Sequence, residues 1–205
     1  MERTVTSRTD LIQTLLNRSK GKDYLEIGCA ADDNFKFIEA DTKVGVDPIR
    51  GGTHRMGSDQ FFAENSDTFD VVFVDGLHSV DQATRDVDNS LARLNKGGVV
   101  VIHDCLPPTF KSTDPQILAD AMANGAPMDS MGFWCGEVWR VVVKLIARKD
   151  IDLVLWPEDL GCAVVVKRPS EPVKFAAKDY ADYMKRYPKY LTLVDEKELT
   201  AWLAT

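Results

Sequence analysis

The sequence lacks a long apolar run, and it has fewer positive than negative charges. Each of these features excludes a class of protein. No stretch of about 18 apolar residues occurs, so no segment is expected to span a bilayer. The opening residues, MERTVTSRTDLIQTLL, lack the apolar core of a secretory signal. With 25 Lys and Arg against 32 Asp and Glu, the net charge is −7, which argues against nucleic acid or an anionic membrane as a partner.

Cysteine is sparse, and its spacing indicates neither a zinc knuckle nor a redox pair. The four cysteines are widely separated and form no C-x-x-C motif: Cys29, Cys105, Cys135 and Cys162. Free thiols in a reducing compartment are the simplest interpretation. We therefore expect a cytoplasmic protein.

The segment YLEIGCAADDNF lacks the glycines of a dinucleotide-binding loop. Ala30 and Ala31 stand where the pattern G-x-G-x-x-G would need further glycines. This disfavours a nicotinamide or flavin cofactor, because their pyrophosphate must approach the backbone closely. Gly28 still permits a close approach by another ligand, and a helix starting after it would present free amides.

What the sequence does contain is a series of short apolar segments separated by helical patterns. Four of them, YLEIG, KVGVDP, FDVVFVDG and VVVIHDC, show no polar alternation, which is typical of parallel strands buried on both faces. Helices are expected near residues 9–17 and 80–94, among others. The pattern predicts a doubly wound α/β fold, and two later segments, IDLVLWPED and GCAVVVKR, suit an antiparallel edge.

The chain length suits one domain over residues 1–205. Residues 106–135 are rich in Pro, Gly, Ser and Asp, so they are expected to form a lid or binding insertion. Residues 174–205 are expected to add C-terminal helices. The tyrosines there could serve as a contact surface for a homo-oligomer: Tyr180, Tyr183, Tyr187 and Tyr190.

Each predicted parallel strand ends on polar residues, and such ends meet at one edge of a sheet, where ligands bind. The endings are Glu26 to Gly28, Asp47, Asp75 to His78, and His103–Asp104. Asp47 is placed to bind ribose hydroxyls, and Asp59 to accept a hydrogen bond from an adenine amino group. A plainer interpretation is that Asp47 starts a turn and Asp59 caps a helix.

These motifs, in this order, resemble the class I S-adenosylmethionine-dependent methyltransferases. LEIGCA resembles their first motif, VGVDP the acidic second, and FDVVFVDGLH and LNKGGVVVIHDC their fourth and fifth strands. The resemblance implies a seven-stranded, mostly parallel Rossmann-like sheet and S-adenosylmethionine as cofactor. The implied cofactor-binding residues are Glu26, Gly28, Cys29, Asp47, Pro48, Ser58, Asp59, Asp75 and Gly76.

The DGLH motif further resembles metal-dependent sugar O-methyltransferases. That resemblance implies a hydroxyl of a small-molecule, sugar or glycan-like acceptor, with His78 and Asp75 as catalytic residues. It also implies a divalent metal, Mg or Mn, held by Asp75 and Asp104. His103 stands where the family has an acid and joins the predicted metal ligands, although imidazole favours softer ions than magnesium.

Three alternatives remain open at this point. Asp75 and Ser79 would, on the plainest interpretation, cap the helix that begins near Val80. A protein that binds the cofactor without catalysis would keep the same pocket. A metal-assisted hydrolase would use the Asp–His cluster, but it would leave Glu26, Asp47 and Asp59 without a role.

Overall fold

The computed structural model describes residues 5–125 and 134–205, in which six strands form one sheet covered by helices. The strands are β1 (Asp23–Ile27), β2 (Thr42–Val46), β3 (Phe69–Val74), β4 (Leu94–Ile102), β5 (Asp152–Trp156) and β6 (Cys162–Val166). The α-helices are α1 (Arg8–Arg18), α2 (Ser58–Glu64), α3 (Val80–Ala92), α4 (Pro115–Ala123), α5 (Val138–Leu145), α6 (Tyr180–Arg186) and α7 (Glu196–Leu203). The sheet order is β2-β1-β3-β4-β6-β5.

The predicted mixed sheet is confirmed. Strands β2, β1, β3 and β4 are parallel, and β6 runs antiparallel to both β4 and β5. Every residue of β3 is buried, because one face of the sheet packs against α3 and α5 and the other against α1. An apolar run without alternation is the expected consequence of burial on two faces.

The predicted count of seven strands was wrong: the described residues form six. The loop RGGTHRMG, which follows β2, pairs with the sheet through a single bridge between Val46 and His54. Gly51 and Gly52 both adopt left-handed backbone, with φ of +67° and +63°. Two consecutive residues of this kind turn the chain sharply, so only one residue runs alongside β2 before α2 begins.

The carboxyl ends of the four parallel strands lie level with one another. Ile27 pairs with both Val46 and Val74, and Val74 pairs with Ile102. The next residue of each strand therefore falls on one common edge: Gly28, Asp47, Asp75 and His103. These positions are the polar strand endings predicted from the sequence. The register of the strands therefore brings the candidate site residues next to one another.

The predicted insertion lies between β4 and α5. Its described part contains a short 3-10 helix at Lys111–Thr113 and then α4, which Asp114 caps through a hydrogen bond from the Gln116 amide. Residues 126–133 lie outside the described residues. The role of this segment as a lid therefore stays a prediction.

The C-terminal tyrosines pack against the core to different extents. Tyr183 is fully buried and donates a hydrogen bond to the Cys105 carbonyl, and Tyr180 donates one to the carbonyl of Pro107. Tyr190 stacks on Phe175. These rings attach α6 and the residues after it to the core, and a contact surface formed by their exposed parts stays a prediction. The described helices include none with the length and apolarity needed to cross a membrane.

Candidate active site

An Asp–His–Asp cluster lies at the carboxyl edge between β3 and β4. The His78 Nε2 is 3.4 Å from Asp75 Oδ1, and its Nδ1 is 3.3 Å from Asp104 Oδ2. The three side chains are 17%, 18% and 6% exposed for His78, Asp75 and Asp104, so the cluster is sheltered but still reachable. Asp104 has a left-handed backbone, with φ of +63°, that turns the chain at this point.

The DGLH segment forms the connection from β3 to α3. Ser79 caps α3, its side chain accepting a hydrogen bond from the Gln82 amide, so the capping role predicted for Ser79 is correct. His78 therefore sits just outside the helix. Its backbone carbonyl accepts a 2.7 Å hydrogen bond from the Glu137 amide, which attaches the segment to the start of α5.

The imidazole of His78 is held in one orientation. Its Nδ1 lies 3.0 Å from the carbonyl oxygen of Trp134, which can only accept, so Nδ1 carries the proton of the neutral ring. The Trp134 ring stacks on it with centroids 5.4 Å apart. Burial alone would lower the pKa of His78, but the Asp104 and Asp75 carboxylates raise it overall. Nε2 is left as the basic nitrogen, beside Asp75.

His103 lies next to the cluster and contacts both of its carboxylates. It is 3% exposed, and its Nδ1 lies 3.2 Å from Asp75 Oδ1 and 3.3 Å from Asp104 Oδ1. Its Nε2 is 2.8 Å from the Asp159 carbonyl oxygen. Burial opposes its charge, yet Asp75 and Asp104 raise its pKa well above the usual value. Nδ1 faces only carboxylate oxygens, so it donates a hydrogen bond that holds Asp75 in place, while Nε2 lies between the Asp159 carbonyl and Arg8 Nη1.

The group with metal-ligand spacing contains His78 in place of His103. One ligand atom from each of Asp75, His78 and Asp104 lies within 4.8 Å of the others. Two carboxylates and one imidazole suit manganese, iron or zinc better than magnesium. The metal role of each residue stays a prediction.

A narrow cleft of about 100 Å³ opens between the ends of β1 and β3. Its lining includes Arg8, Glu26, Gly28, Asn34 and Asp75. The Glu26 carboxylate is 1% exposed and accepts hydrogen bonds from the Tyr24 hydroxyl, at 2.5 Å, and the Asn34 amide, at 2.8 Å. Cys29 is buried beneath the cleft, with its thiol directed to the Glu26 carbonyl.

Glu26 gives the fold a pH dependence that can be measured. Burial raises its pKa to about 7, although hydrogen bonds from Tyr24 and Asn34 act to lower it. The folded protein thus holds this proton more tightly than the unfolded chain does. The stabilisation is complete at low pH and is lost as the pH rises through about 7, by on the order of 3 kcal/mol.

Glu26→Gln is expected to flatten this fall in the free energy of unfolding. Urea titrations at about pH 5 and about pH 8 would measure it. Asp33→Asn is the matched control, because Asp33 borders the same cleft but its side chain is 77% exposed. An equally steep fall in the native protein and in Glu26→Gln would show that Glu26 is not the titrating group.

Asp47 bridges the two loops that follow β1 and β2. Its Oδ2 accepts a hydrogen bond from the Ala30 amide, and its Oδ1 accepts two, from Ile49 and Arg50. It is 8% exposed, while the neighbouring Pro48 is exposed. The carboxylate is thus held at the edge as predicted, and its oxygens have some remaining capacity to accept hydrogen bonds.

Ser58 and Asp59 begin α2 but face different surroundings. The Ser58 hydroxyl donates a 2.6 Å hydrogen bond to Asp86, whereas Asp59 is half exposed and pairs with Arg85 at 3.4 Å. Asp86 is buried on α3, and its Oδ2 has no hydrogen-bond partner among the described residues. That oxygen lies beneath Gly76, since a Cβ added to Gly76 would be 3.5 Å from it. Asp86 therefore links α2 to the DGLH segment.

The sequence interpretation missed three residues of this edge. Arg8 contacts His103 from α1, 95 residues away along the chain, and Asp159 reaches the same imidazole from the β5–β6 turn. Asp86 lies within a helix whose pattern looks ordinary. Nothing in the local sequence of any of them marks a site, because their roles depend on contacts between distant segments.

Residues 23–105, which span β1 to β4, match the sequence model of a family described as a methyltransferase domain. No curated protein shows a significant match to the chain. Several solved structures share its fold. The O-methyltransferase TomG from Streptomyces achromogenes is 16% identical with a TM-score of 0.51, over 78% of this chain and 79% of that chain.

Two further structures are similar to the same extent. The methyltransferase PaMTH1 from Podospora anserina is 17% identical with a TM-score of 0.50, over 78% of each chain. A protein from Corynebacterium glutamicum is 16% identical with a TM-score of 0.53, over 82% of this chain and 84% of that chain. The family match covers the four strands whose ends form the candidate site, and the fold agrees with it. Residues 23–105 thus resemble a methyltransferase domain in sequence, and the sheet has the fold of the solved methyltransferases named above.

Proposed function

We propose that this protein is a class I methyltransferase that transfers the methyl group of S-adenosylmethionine to a hydroxyl oxygen of a small-molecule acceptor, of the sugar or glycan-like class. A hydroxyl must lose its proton as it attacks, so the reaction needs a base next to the oxygen. The observation that carries the proposal is the setting of His78. The Trp134 carbonyl fixes the proton on Nδ1, and Nε2 is left without a proton, 3.4 Å from Asp75 Oδ1.

The residues at the edge fit the three parts of the cofactor. The cleft between β1 and β3 offers positive charge from Arg8 and negative charge from Asp75 to an amino acid that bears both signs. Asp47 is positioned for ribose hydroxyls. The start of α2, with Ser58, and the DGLH segment, with Gly76, would border the adenine ring.

In this proposal the chain itself does two things. Asp75, held by His103, and the fixed imidazole of His78 place the acceptor hydroxyl and take its proton. The cofactor supplies the methyl group on a positively charged sulfur, so alignment of the two reacting atoms is the other requirement. The cofactor cleft and the Asp75–His78–Asp104 cluster both lie on the rigid edge of the sheet, which favours precise alignment of the reacting atoms.

The test of the acceptor class is transfer of labelled methyl from S-adenosylmethionine to a panel of sugars, glycosides, phenols and amines, with the products identified by mass spectrometry and NMR. We expect the label in new methyl ethers. Label found only on nitrogen or sulfur would contradict the hydroxyl proposal. A native protein that binds the cofactor but labels nothing in a broad panel would favour the non-catalytic binding module.

A bound divalent cation is a second arrangement, favoured by the spacing of Asp75, His78 and Asp104. Such a cation would lower the pKa of the acceptor hydroxyl and orient it, and it would occupy the His78 nitrogen that otherwise serves as the base. If this arrangement operates, EDTA abolishes turnover, and manganese restores it better than magnesium does. Turnover that is indifferent to EDTA and to added metals would reject the cation.

We further propose that the protein works in the cytoplasm. All four cysteines are buried, and none forms a disulfide within the described parts of the chain, which supports a reducing compartment. Localisation of the tagged protein in its host by microscopy or fractionation would test this proposal.

A further inference from the structure

The turn between β5 and β6 has an unusual backbone. Asp159, Leu160 and Gly161 are consecutive left-handed residues, with φ of +48°, +62° and +78°. Glycine takes this conformation freely and aspartate tolerates it, whereas a leucine is strained by it. Strained backbone persists only where the surrounding structure fixes it, and it is concentrated at functional sites. The contacts of this turn therefore point to its role.

The turn is bound to the segment that follows β4. The Leu160 carbonyl accepts a 2.7 Å hydrogen bond from the Leu106 amide, and the Gly161 carbonyl accepts one of 3.0 Å from the Cys105 amide. The fit is close, since a Cβ added to Gly161 would lie 2.6 Å from the Leu106 side chain. The left-handed turn is thus fixed against the same strand end that carries His103.

Asp159 contacts both His103 and the start of α1. Its carbonyl oxygen lies 2.8 Å from His103 Nε2, and its Oδ1 lies 3.6 Å from the same nitrogen. Its Oδ2 accepts a 2.7 Å hydrogen bond from the backbone amide of Arg8, the first residue of α1. The other ring nitrogen of His103, Nδ1, lies 3.2 Å from Asp75 Oδ1. The buried imidazole is therefore held between Asp159 on one side and Asp75 on the other.

We propose that Asp159 is a positioning residue for methyl transfer, which acts through His103 on Asp75. The inference rests on the proposed function, because it takes Asp75 and His78 as the groups that place the acceptor hydroxyl and take its proton. The imidazole ring is rigid, so a contact that fixes Nε2 also fixes the direction of the bond from Nδ1 to Asp75. A small rotation of the Asp75 carboxylate would misalign the acceptor oxygen and slow the reaction without removing any reacting group.

The test compares two substitutions of Asp159. Asp159→Gly removes the carboxylate that fixes the turn to α1, but it introduces no backbone strain. We expect kcat with a labelled methyl donor to fall about 10- to 100-fold, the usual cost of removing an outer partner of a site. Affinity for S-adenosylhomocysteine should change much less, which separates positioning from loss of the cofactor pocket. Asp159→Asn keeps an acceptor for the Arg8 amide and tolerates the left-handed backbone, so it should recover most of the turnover.

Leu160→Gly is the matched control. It relaxes the neighbouring left-handed residue but leaves Asp159 in place, so its kcat should match that of the native protein. The position of the imidazole can be followed without any acceptor, because the chain has three histidines and their ring signals in NMR spectra can be assigned by substituting each in turn. Asp159→Gly should shift the signals of His103, and Leu160→Gly should leave them unchanged.

The outcomes separate this inference from the proposed function. Native kcat in Asp159→Gly, unmoved His103 signals, or failure of Asp159→Asn to recover turnover would overturn the role of Asp159 and leave the proposed function intact. Equal losses of kcat in Asp159→Gly and Leu160→Gly would also overturn it, because they would indicate a general loosening of the turn. A native protein that transfers no methyl group would overturn the proposed function, and this role with it. A loss of kcat confined to Asp159→Gly, together with shifted His103 signals, supports both.

Discussion

His78→Gln is expected to lower turnover about 10²- to 10⁴-fold, the usual contribution of a general base. Glutamine is close in size and can still donate to the Trp134 carbonyl, so the local structure should survive. It cannot accept a proton in place of Nε2. The loss should therefore appear in kcat with a labelled methyl donor and the best acceptor, while affinity for S-adenosylhomocysteine stays near the native value.

His54→Gln is the matched control for this prediction. His54 lies in the loop after β2, where its Nδ1 contacts Thr53, and it takes no part in the Asp75–Asp104 cluster. Its turnover should match that of the native protein. Native turnover in His78→Gln would exclude His78 as the base, and a loss shared equally by both variants would point to a general effect of removing imidazole.

Gly28→Ala is expected to be the most damaging small substitution for stability. Gly28 has φ of +90°, and a Cβ there would lie 2.1 Å from the backbone carbonyl oxygen of Asp75. That carbonyl cannot swing away easily, because the Asp75 amide donates a 2.8 Å hydrogen bond to Ile27. We expect a loss of about 3–5 kcal/mol in the free energy of unfolding, from backbone strain and a backbone clash together.

Gly97→Ala separates the two causes of that loss. Gly97 has a similar φ of +84°, but a Cβ there would meet no atom within 4 Å. Its substitution should cost about 1–2 kcal/mol, the cost of a left-handed backbone alone. Urea titrations of both variants measure the difference, and equal losses would show that Gly28 and the Asp75 carbonyl are not in close contact.

The sequence predicted the parallel half of the fold well because burial on two faces leaves a clear pattern. FDVVFV became β3 with all six residues buried, and Ser79 caps α3 where the polar residue suggested a boundary. The edge of the site followed from the same pattern. Once four strands are parallel and in register, the residues after them must be neighbours.

The rest depended on contacts that no local pattern records. The short loop with Gly51 and Gly52 carries the turn residues of a connection, but the number of residues that pair with β2 depends on the path it takes. His103 and His78 are indistinguishable by composition, yet one faces Asp159 and Arg8 while the other faces Trp134. Those partners come from segments 56 to 95 residues away along the chain.

The central claim is that Gly28, Asp47, Asp75 and the groups around them form one cavity for S-adenosylmethionine. Calorimetric titration with S-adenosylhomocysteine tests it most directly, because no acceptor needs to be known. We expect one molecule bound per chain with a Kd below about 100 µM, and a matching rise in the melting temperature. Neither heat nor thermal stabilisation with ligand at about 1 mM would contradict the account.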